Sequence, residues 1–215
     1  MTAKTLPKYS IGEEIANSII HGVGALLAIA ACVLLIVTSS FTLDPYKIVS
    51  SSIYGATLII MFTMSTLYHA LTNEKAKFVF RVFDHNSIFI LIAGTYTPIA
   101  LVTWTGALGW VIFSIVWAVT ILGVVLNSIS VERFKKFSLV SYIASGWCII
   151  IAAVPFVQKM APGGVWFILL GGLAYTLGII FYRMKSVKYM HTLWHVFVLL
   201  GAILQYFCIQ FYVIL

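Results

Sequence analysis

Six long stretches of this sequence contain no Asp, Glu, Lys or Arg, and they restrict what the chain can fold into. A helix needs about 20 apolar residues to cross the hydrocarbon core of a bilayer. Five stretches fit one crossing each, and the stretch over residues 85–131, with 47 residues, fits two that are joined by a turn at residues 103–106. The uncharged stretches are residues 15–43, 48–73, 85–131, 137–158, 160–182 and 189–215.

These stretches predict an all-α integral membrane protein, with one domain over residues 1–215 that forms a seven-transmembrane-helix bundle. The composition agrees, because only 9% of the residues are charged, whereas a soluble domain has about 25%. The predicted helices cover residues 15–40, 48–71, 84–104, 107–129, 138–157, 164–182 and 189–213.

The positively charged residues predict the orientation of this bundle. Eleven of the 13 Lys and Arg residues fall on the side of the N-terminus, and only Lys47 and Lys159 fall on the other side. Short cytoplasmic loops carry an excess of Lys and Arg, so the N-terminus is expected to be cytoplasmic and the C-terminus external. The eleven basic residues on the side of the N-terminus are Lys4, Lys8, Lys75, Lys77, Arg81, Arg133, Lys135, Lys136, Arg183, Lys185 and Lys188.

Little polar surface remains for a nucleic-acid partner, and none is expected.

All five histidines fall in the cytoplasmic third of the predicted bundle. Ionisable groups at membrane depth usually face the bundle interior and mark function. His191 and His195 are spaced i, i+4, which places both imidazoles on one face of helix seven, and Ser65 and His69 have the same spacing on helix two. The histidines are His21, His69, His85, His191 and His195.

The histidine spacing predicts a Zn²⁺ cofactor held by His69, His191 and His195. Three histidines with an open fourth position are typical of a catalytic zinc site. Asp84, at the start of helix three, is the predicted general base for a zinc-bound water. Ser65 lies one turn deeper than His69 and is predicted to bind the substrate carbonyl or the water.

Four further polar residues near this level are expected to support the ligands or to replace one of them. Glu14, Asn17 and His21 share one stripe of helix one at i, i+3, i+7, and His85 is adjacent to Asp84.

Each of these residues also has a simpler interpretation. An i, i+4 histidine pair often arises by chance. Ser65 can bond to its own preceding turn, and Asp84 can pair with Arg81, three residues earlier. His21 is interpreted as a supporting or packing residue rather than a ligand. The convergence of three helices on one level favours the zinc interpretation.

Four motifs follow one another along essentially the whole chain and, as an ordered set, resemble the bacterial hemolysin III family. That family is the prokaryotic branch of the progestin and adiponectin receptor group. The motifs are Glu13-Glu14-Ile-Ala-Asn17-Ser-Ile-Ile-His21-Gly22, Ser65-Thr-Leu-Tyr68-His69, Phe83-Asp84-His85 leading to Ala93-Gly94-Thr95-Tyr96-Thr97-Pro98, and His191-Thr-Leu-Trp194-His195.

The resemblance implies a seven-helix fold in the bacterial cytoplasmic (inner) membrane, with zinc held by three histidines near the cytoplasmic side. The matching positions are His69, His191 and His195, with Asp84 and Ser65 at the family's Asp and Ser. The wider superfamily includes alkaline ceramidases, which implies hydrolysis of a lipid amide or ester. The long N-terminal domain of the adiponectin receptors is absent, so no protein-hormone partner is expected.

Several functions stay open at this point. The first is an intramembrane lipid hydrolase, or a related lipid-homeostasis protein, whose partner is a membrane lipid. The second is a non-catalytic regulator or sensor of membrane state with structural zinc. Hemolysin-type pore formation is disfavoured because no amphipathic segment is present. A transporter ranks last, since few polar groups reach the external half.

Overall fold

The computed structural model describes residues 6–7 and 9–215, and this part of the chain is helical apart from short connections. Lys4 and Lys8, which belong to the charge count above, lie outside the described residues. The seven α-helical elements are α1 (Ile11–Ser40), α2 (Pro45–Ala70), α3 (Glu74–Pro98), α4 (Gly106–Gly146), α5 (Ala153–Lys159), α6 (Pro162–Arg183) and α7 (Met190–Ile209). π-Helical turns follow α3 and α7 at Ile99–Trp104 and Gln210–Ile214, and a 3₁₀ turn at Cys148–Ala152 joins α4 to α5.

Six helical segments in the described residues are long and apolar enough to cross a membrane, which confirms the all-α membrane architecture. The fourth segment, Gly106–Lys159, has 54 residues, more than one crossing uses. It covers both of the helices predicted at 107–129 and 138–157. Ser130 interrupts it with extended backbone (φ −167°, ψ 109°), so the helix direction changes there.

Side-chain caps fix where the helices begin. Ser10 and Glu13 form a capping box at the start of α1, and such a pair satisfies two backbone N–H groups that the first turn leaves free. Asn73 accepts a hydrogen bond from the backbone N–H of Ala76, so α3 begins at Glu74 rather than at residue 84. The predicted loop over residues 72–83 is therefore mostly helix.

Two lysines hold helix ends at the face of the bundle where α1 ends. The Lys159 ammonium donates to the carbonyl of Trp104 at 2.8 Å, and the Lys47 ammonium donates to the carbonyl of Ile214 at 2.6 Å. Carbonyls at a helix C-terminus lack intrahelical donors and carry partial negative charge, which a cation offsets. These are the two basic residues that the charge count places apart from the other eleven.

Close helix contacts set the position of the polar residues at the opposite face of the bundle, where α1 and α7 begin and α2 ends; we name this the N-terminal face. A Cβ on Gly178 of α6 would lie 2.8 Å from the Trp194 ring of α7. The buried stripe of α1 starts with Glu13, Asn17 and His21, and its next three members, at residues 24, 28 and 31, are small. Helix α1 therefore turns its polar end toward α2 and α7.

Candidate metal centre

Three histidines from α2 and α7 meet at the N-terminal face. One ring nitrogen of each of His69, His191 and His195 lies within 4.8 Å of the others. The Nε2 atoms of His69 and His195 are 3.1 Å apart. In a tetrahedral zinc site with bonds of about 2.0–2.1 Å, two ligand nitrogens are separated by about 3.3 Å. The cluster could therefore hold a metal ion.

A carboxylate fixes the orientation of His69. Its Nδ1 lies 2.6 Å from Oε2 of Glu14 and 3.4 Å from the Asn17 amide nitrogen. The shorter contact decides the tautomer, because a carboxylate only accepts and an amide nitrogen only donates. His69 therefore donates its Nδ1 proton to Glu14, and its Nε2 lone pair points into the cluster. The other Glu14 oxygen accepts from the Lys77 ammonium at 2.6 Å, which balances the carboxylate charge.

A fourth histidine holds His195. Nδ1 of His195 lies 2.7 Å from Nε2 of His21, and both rings are buried. If His195 carries its proton on Nδ1 and donates it to His21, the Nε2 lone pairs of His195 and His69 face each other. A cation between the two nitrogens then stabilises this arrangement. If His195 instead keeps its proton on Nε2, it donates to His69 and no metal is needed. His191, the third histidine of the cluster, favours the arrangement with a metal ion.

Within the described part of the chain, the His191 side chain makes ring contacts. Its Nε2 is buried and has no hydrogen-bond partner among the described residues. A buried polar atom without a partner costs free energy, and a metal ion removes that cost. The Tyr9 ring stacks on His191, with centroids 4.7 Å apart and planes at 18°. Burial raises the pKa of the Tyr9 phenol, so this ring stays neutral beside the cluster.

The donor set fits zinc. Neutral imidazole nitrogens suit zinc among other transition metals. Imidazoles that ligate zinc commonly donate their second ring N–H to a carboxylate or another acceptor, which fixes the ring. Glu14 is such an acceptor behind His69, and His21 is one behind His195 when His195 carries its proton on Nδ1.

A cavity of about 650 Å³ opens beside the histidines. Ser65, Asp84, His191 and His195 line it, and its remaining wall is mostly apolar. The Ser65 hydroxyl is buried and has no partner within the described part of the chain. Asp84, the predicted general base, and Ser65, the predicted substrate-binding residue, therefore line the same cavity as His191 and His195.

Other predicted residues take specific places. Arg81 pairs with Glu132 of α4, so it does not form the ion pair with Asp84 that the sequence allows. His85 also lines the cavity, and its backbone carbonyl accepts from the Tyr142 hydroxyl at 2.8 Å. Asn17 accepts from Thr192 at 2.6 Å.

Sequence reasoning missed Tyr9, Lys77 and Thr192. Thr192 lies between the two histidines of the α7 motif, and Lys77 is a basic residue close to the end of α2; both positions offered a weak signal. Tyr9 precedes the first helix, and no pattern in the sequence connects it to α7.

Replacing Glu14 by Gln should weaken metal binding about 10- to 100-fold, the usual effect of removing a carboxylate behind a zinc-bound imidazole. A neutral amide pairs less strongly with the His69 Nδ1–H, so the ring is less well fixed. Competition with a chromogenic chelator measures the affinity. Glu74→Gln, an exposed carboxylate in the first turn of α3, is the matched control. Equal affinities in the two variants would show that Glu14 does not orient His69.

Comparisons with known proteins agree on one family. A family model described as Haemolysin-III related matches residues 9–206. The chain is 39% identical to Hemolysin-3 of Bacillus cereus over 204 residues, 95% of this chain and 93% of that protein. It is 40% identical to a Hemolysin-3 homolog of Bacillus subtilis (strain 168) over 204 residues, 95% and 96% of the two chains. It is also 26% identical to human Monocyte to macrophage differentiation factor over 206 residues, 93% and 84% of the two chains.

Proposed function

This chain belongs to the haemolysin-III related family of multi-span membrane proteins, as its motifs predicted, and we propose that it is a zinc-dependent hydrolase of a membrane lipid. The single observation that carries the proposal is the histidine cluster beside a mostly apolar cavity that Asp84 and Ser65 also line. The substrate class is a lipid with an amide or ester bond, as in a ceramide. The protein would act in the bacterial cytoplasmic membrane.

We also propose seven crossings, with the N-terminus cytoplasmic and the C-terminus external. The break at Ser130 divides the 54-residue segment into two parts, each able to form one crossing. The charge count of eleven Lys and Arg residues against two supports this orientation, and the two on the proposed external side donate to helix-end carbonyls.

Reporter fusions after Leu215 test this topology in bacteria. Alkaline phosphatase, which is active only outside the cytoplasm, should be active there, and green fluorescent protein, exported unfolded, should be dark. A fusion in the segment between α6 and α7 should give the opposite pair of results. Fluorescence at the C-terminus would show that either the orientation or the odd number of crossings is wrong.

The proposed chemistry assigns a distinct task to each residue around the cavity. When bound, zinc polarises a carbonyl and lowers the pKa of its water to about 7. The Asp84 carboxylate makes no hydrogen bond or ion pair with the described residues, so it is free to accept a proton from the attacking water. The Ser65 hydroxyl, which has no hydrogen-bond partner among the described residues, can donate to the substrate carbonyl oxygen. The apolar wall binds the acyl chain and limits the access of bulk water.

The same contacts favour a second candidate, a non-catalytic regulator with a structural metal. Glu14 and His21 of α1 contact His69 of α2 and His195 of α7, so the cluster joins three helices. A metal in this place would fasten the N-terminal face even without turnover. Cytolysis, the activity that the names of the Bacillus relatives carry, has no such support from the contacts of the cluster.

One preparation tests these candidates together. The full chain, purified without added metal and reconstituted in liposomes, is assayed for bound metal, for fatty acid released from ceramides and glycerolipids, and for leakage of a trapped dye. Hydrolysis with bound zinc supports the enzyme. Bound zinc that raises the melting temperature, with no lipid cleaved, supports the regulator. Leakage without metal or hydrolysis would overturn both and indicate a pore.

A further inference from the structure

The residues just before α1 lie over the histidine cluster. Leu6, Pro7, Tyr9 and Ser10 line the same cavity as His191 and Asp84. The Tyr9 ring reaches two of the clustered histidines, because its centroid is 4.7 Å from that of His191 and 5.8 Å from that of His69. This segment therefore forms part of the cavity wall at the N-terminal face.

His191 depends on its ring contacts more than the other two histidines do. His69 has Glu14 at one ring nitrogen, and His195 has His21. His191 has neither a carboxylate nor a histidine at hydrogen-bond distance among the described residues, and Tyr9 is the ring that lies nearly parallel to it. Stacked aromatic rings attract each other beyond the effect of area burial. The stacked Tyr9 ring therefore helps to set the plane of the His191 ring, together with the His195 ring, which meets it edge-on at 4.6 Å.

The position of Tyr9 is itself fixed by the start of α1. Ser10 caps the helix with Glu13, and the second Glu13 oxygen accepts the backbone N–H of Tyr189 at 2.8 Å. Tyr189 immediately precedes α7 and has a positive φ of 62°. A Cβ on Gly12 would lie 2.7 Å from the Tyr189 hydroxyl, so the two helix starts are in close contact. These contacts fasten the start of α1 to the start of the helix that carries His191.

We propose that Tyr9 is a positioning residue that holds the His191 ring and closes the cluster against the aqueous phase at the N-terminal face. A metal ion then exchanges more slowly while the Tyr9 ring covers His191. The inference rests on the proposed function only in taking the cluster as a metal site. The contacts of Tyr9 with His191 and His69 are made by its ring, so a phenylalanine should serve in its place.

The first measurement uses the full chain after metal has been removed with a chelator. Diethyl pyrocarbonate modifies accessible neutral imidazoles, and mass spectrometry gives the rate at His191. Tyr9→Ala should raise the modification rate of His191 about two- to tenfold, the range expected for the loss of one aromatic pair. Tyr9→Phe should leave this rate as it is in the wild-type protein. Tyr182→Ala is the matched control, because the Tyr182 ring lies farther from His191, at 6.1 Å, and is not parallel to it.

The second measurement is the rate at which bound zinc passes to an excess of chelator. Tyr9→Ala should release metal faster than the unmodified protein, and Tyr9→Phe should not. Equal modification rates of His191 in Tyr9→Ala and in the wild-type protein would overturn the inference. An equally large effect of Tyr182→Ala would do the same, as would a Tyr9→Phe variant whose His191 is no better protected than in Tyr9→Ala. If the protein binds no zinc, the proposed function fails, but the first measurement still decides the role of Tyr9.

Discussion

Purified without added metal, the protein is expected to carry about one zinc per chain, and the double variant His191→Ala/His195→Ala is expected to carry none. Removing both imidazoles leaves only His69 of the three clustered ligands, and one neutral nitrogen does not retain zinc through purification. Inductively coupled plasma mass spectrometry measures the metal, and protein concentration gives the ratio. The expected change is from near-stoichiometric zinc to background.

A single variant provides the control for this result. His85→Ala removes a histidine that lines the same cavity but does not belong to the cluster, so it should keep its zinc. Far-ultraviolet circular dichroism of both variants checks that the helices remain. Absence of stoichiometric metal in the unmodified protein would contradict the zinc site. The histidines would then form a hydrogen-bonded chain in which His195 donates to His69.

Replacing Asp84 by Asn should lower lipid hydrolysis about 10²- to 10⁴-fold, the usual contribution of a general base. The amide keeps the size of the side chain but cannot take a proton from water. Since Asp84 is not among the clustered ligands, the zinc content should stay unchanged. Release of fatty acid from the lipid that the unmodified protein cleaves measures the rate.

Glu74→Gln makes the same chemical change at an exposed position on the same helix and should retain full activity. If Asp84→Asn retained full activity with zinc bound, the proton would have to be taken by another group, and the role assigned to Asp84 would be wrong. If both activity and zinc were lost, Asp84 would act in metal binding instead. These outcomes distinguish a wrong assignment of the general base from a wrong assignment of the metal ligands.

The helical spacing of the histidines could be read from the sequence because it is a local property. His191 and His195 lie one turn apart on any α-helix, and Glu14, Asn17 and His21 lie on one stripe of any α-helix. The uncharged stretches likewise predicted membrane helices, since length and apolar content decide whether a helix can cross a bilayer. Charge on residues 74–81 suggested a loop, but the Asn73 cap begins α3 there instead.

The break in the fourth membrane segment is a feature that local sequence patterns did not predict. Residues 130–137 carry most of the charge in that region, and the sequence predicts a loop between two helices. The structure keeps helix on both sides and changes direction at a single residue, Ser130. Arg81 of α3 pairs with Glu132 just beyond the break, a contact between residues far apart in the sequence. Such a partner is chosen by how the helices pack, which no local pattern specifies.

By itself, the sequence determined that this chain is a bundle of membrane helices and that its histidines gather near one end, because both follow from helix length and depth. The tertiary structure decided which groups touch: Glu14 with His69, His21 with His195, and Tyr9 with His191. Each contact depends on the rotation of one helix against another. Close packing between helices fixes that rotation, as where a Cβ on Gly24 of α1 would lie 2.5 Å from the Phe62 ring of α2.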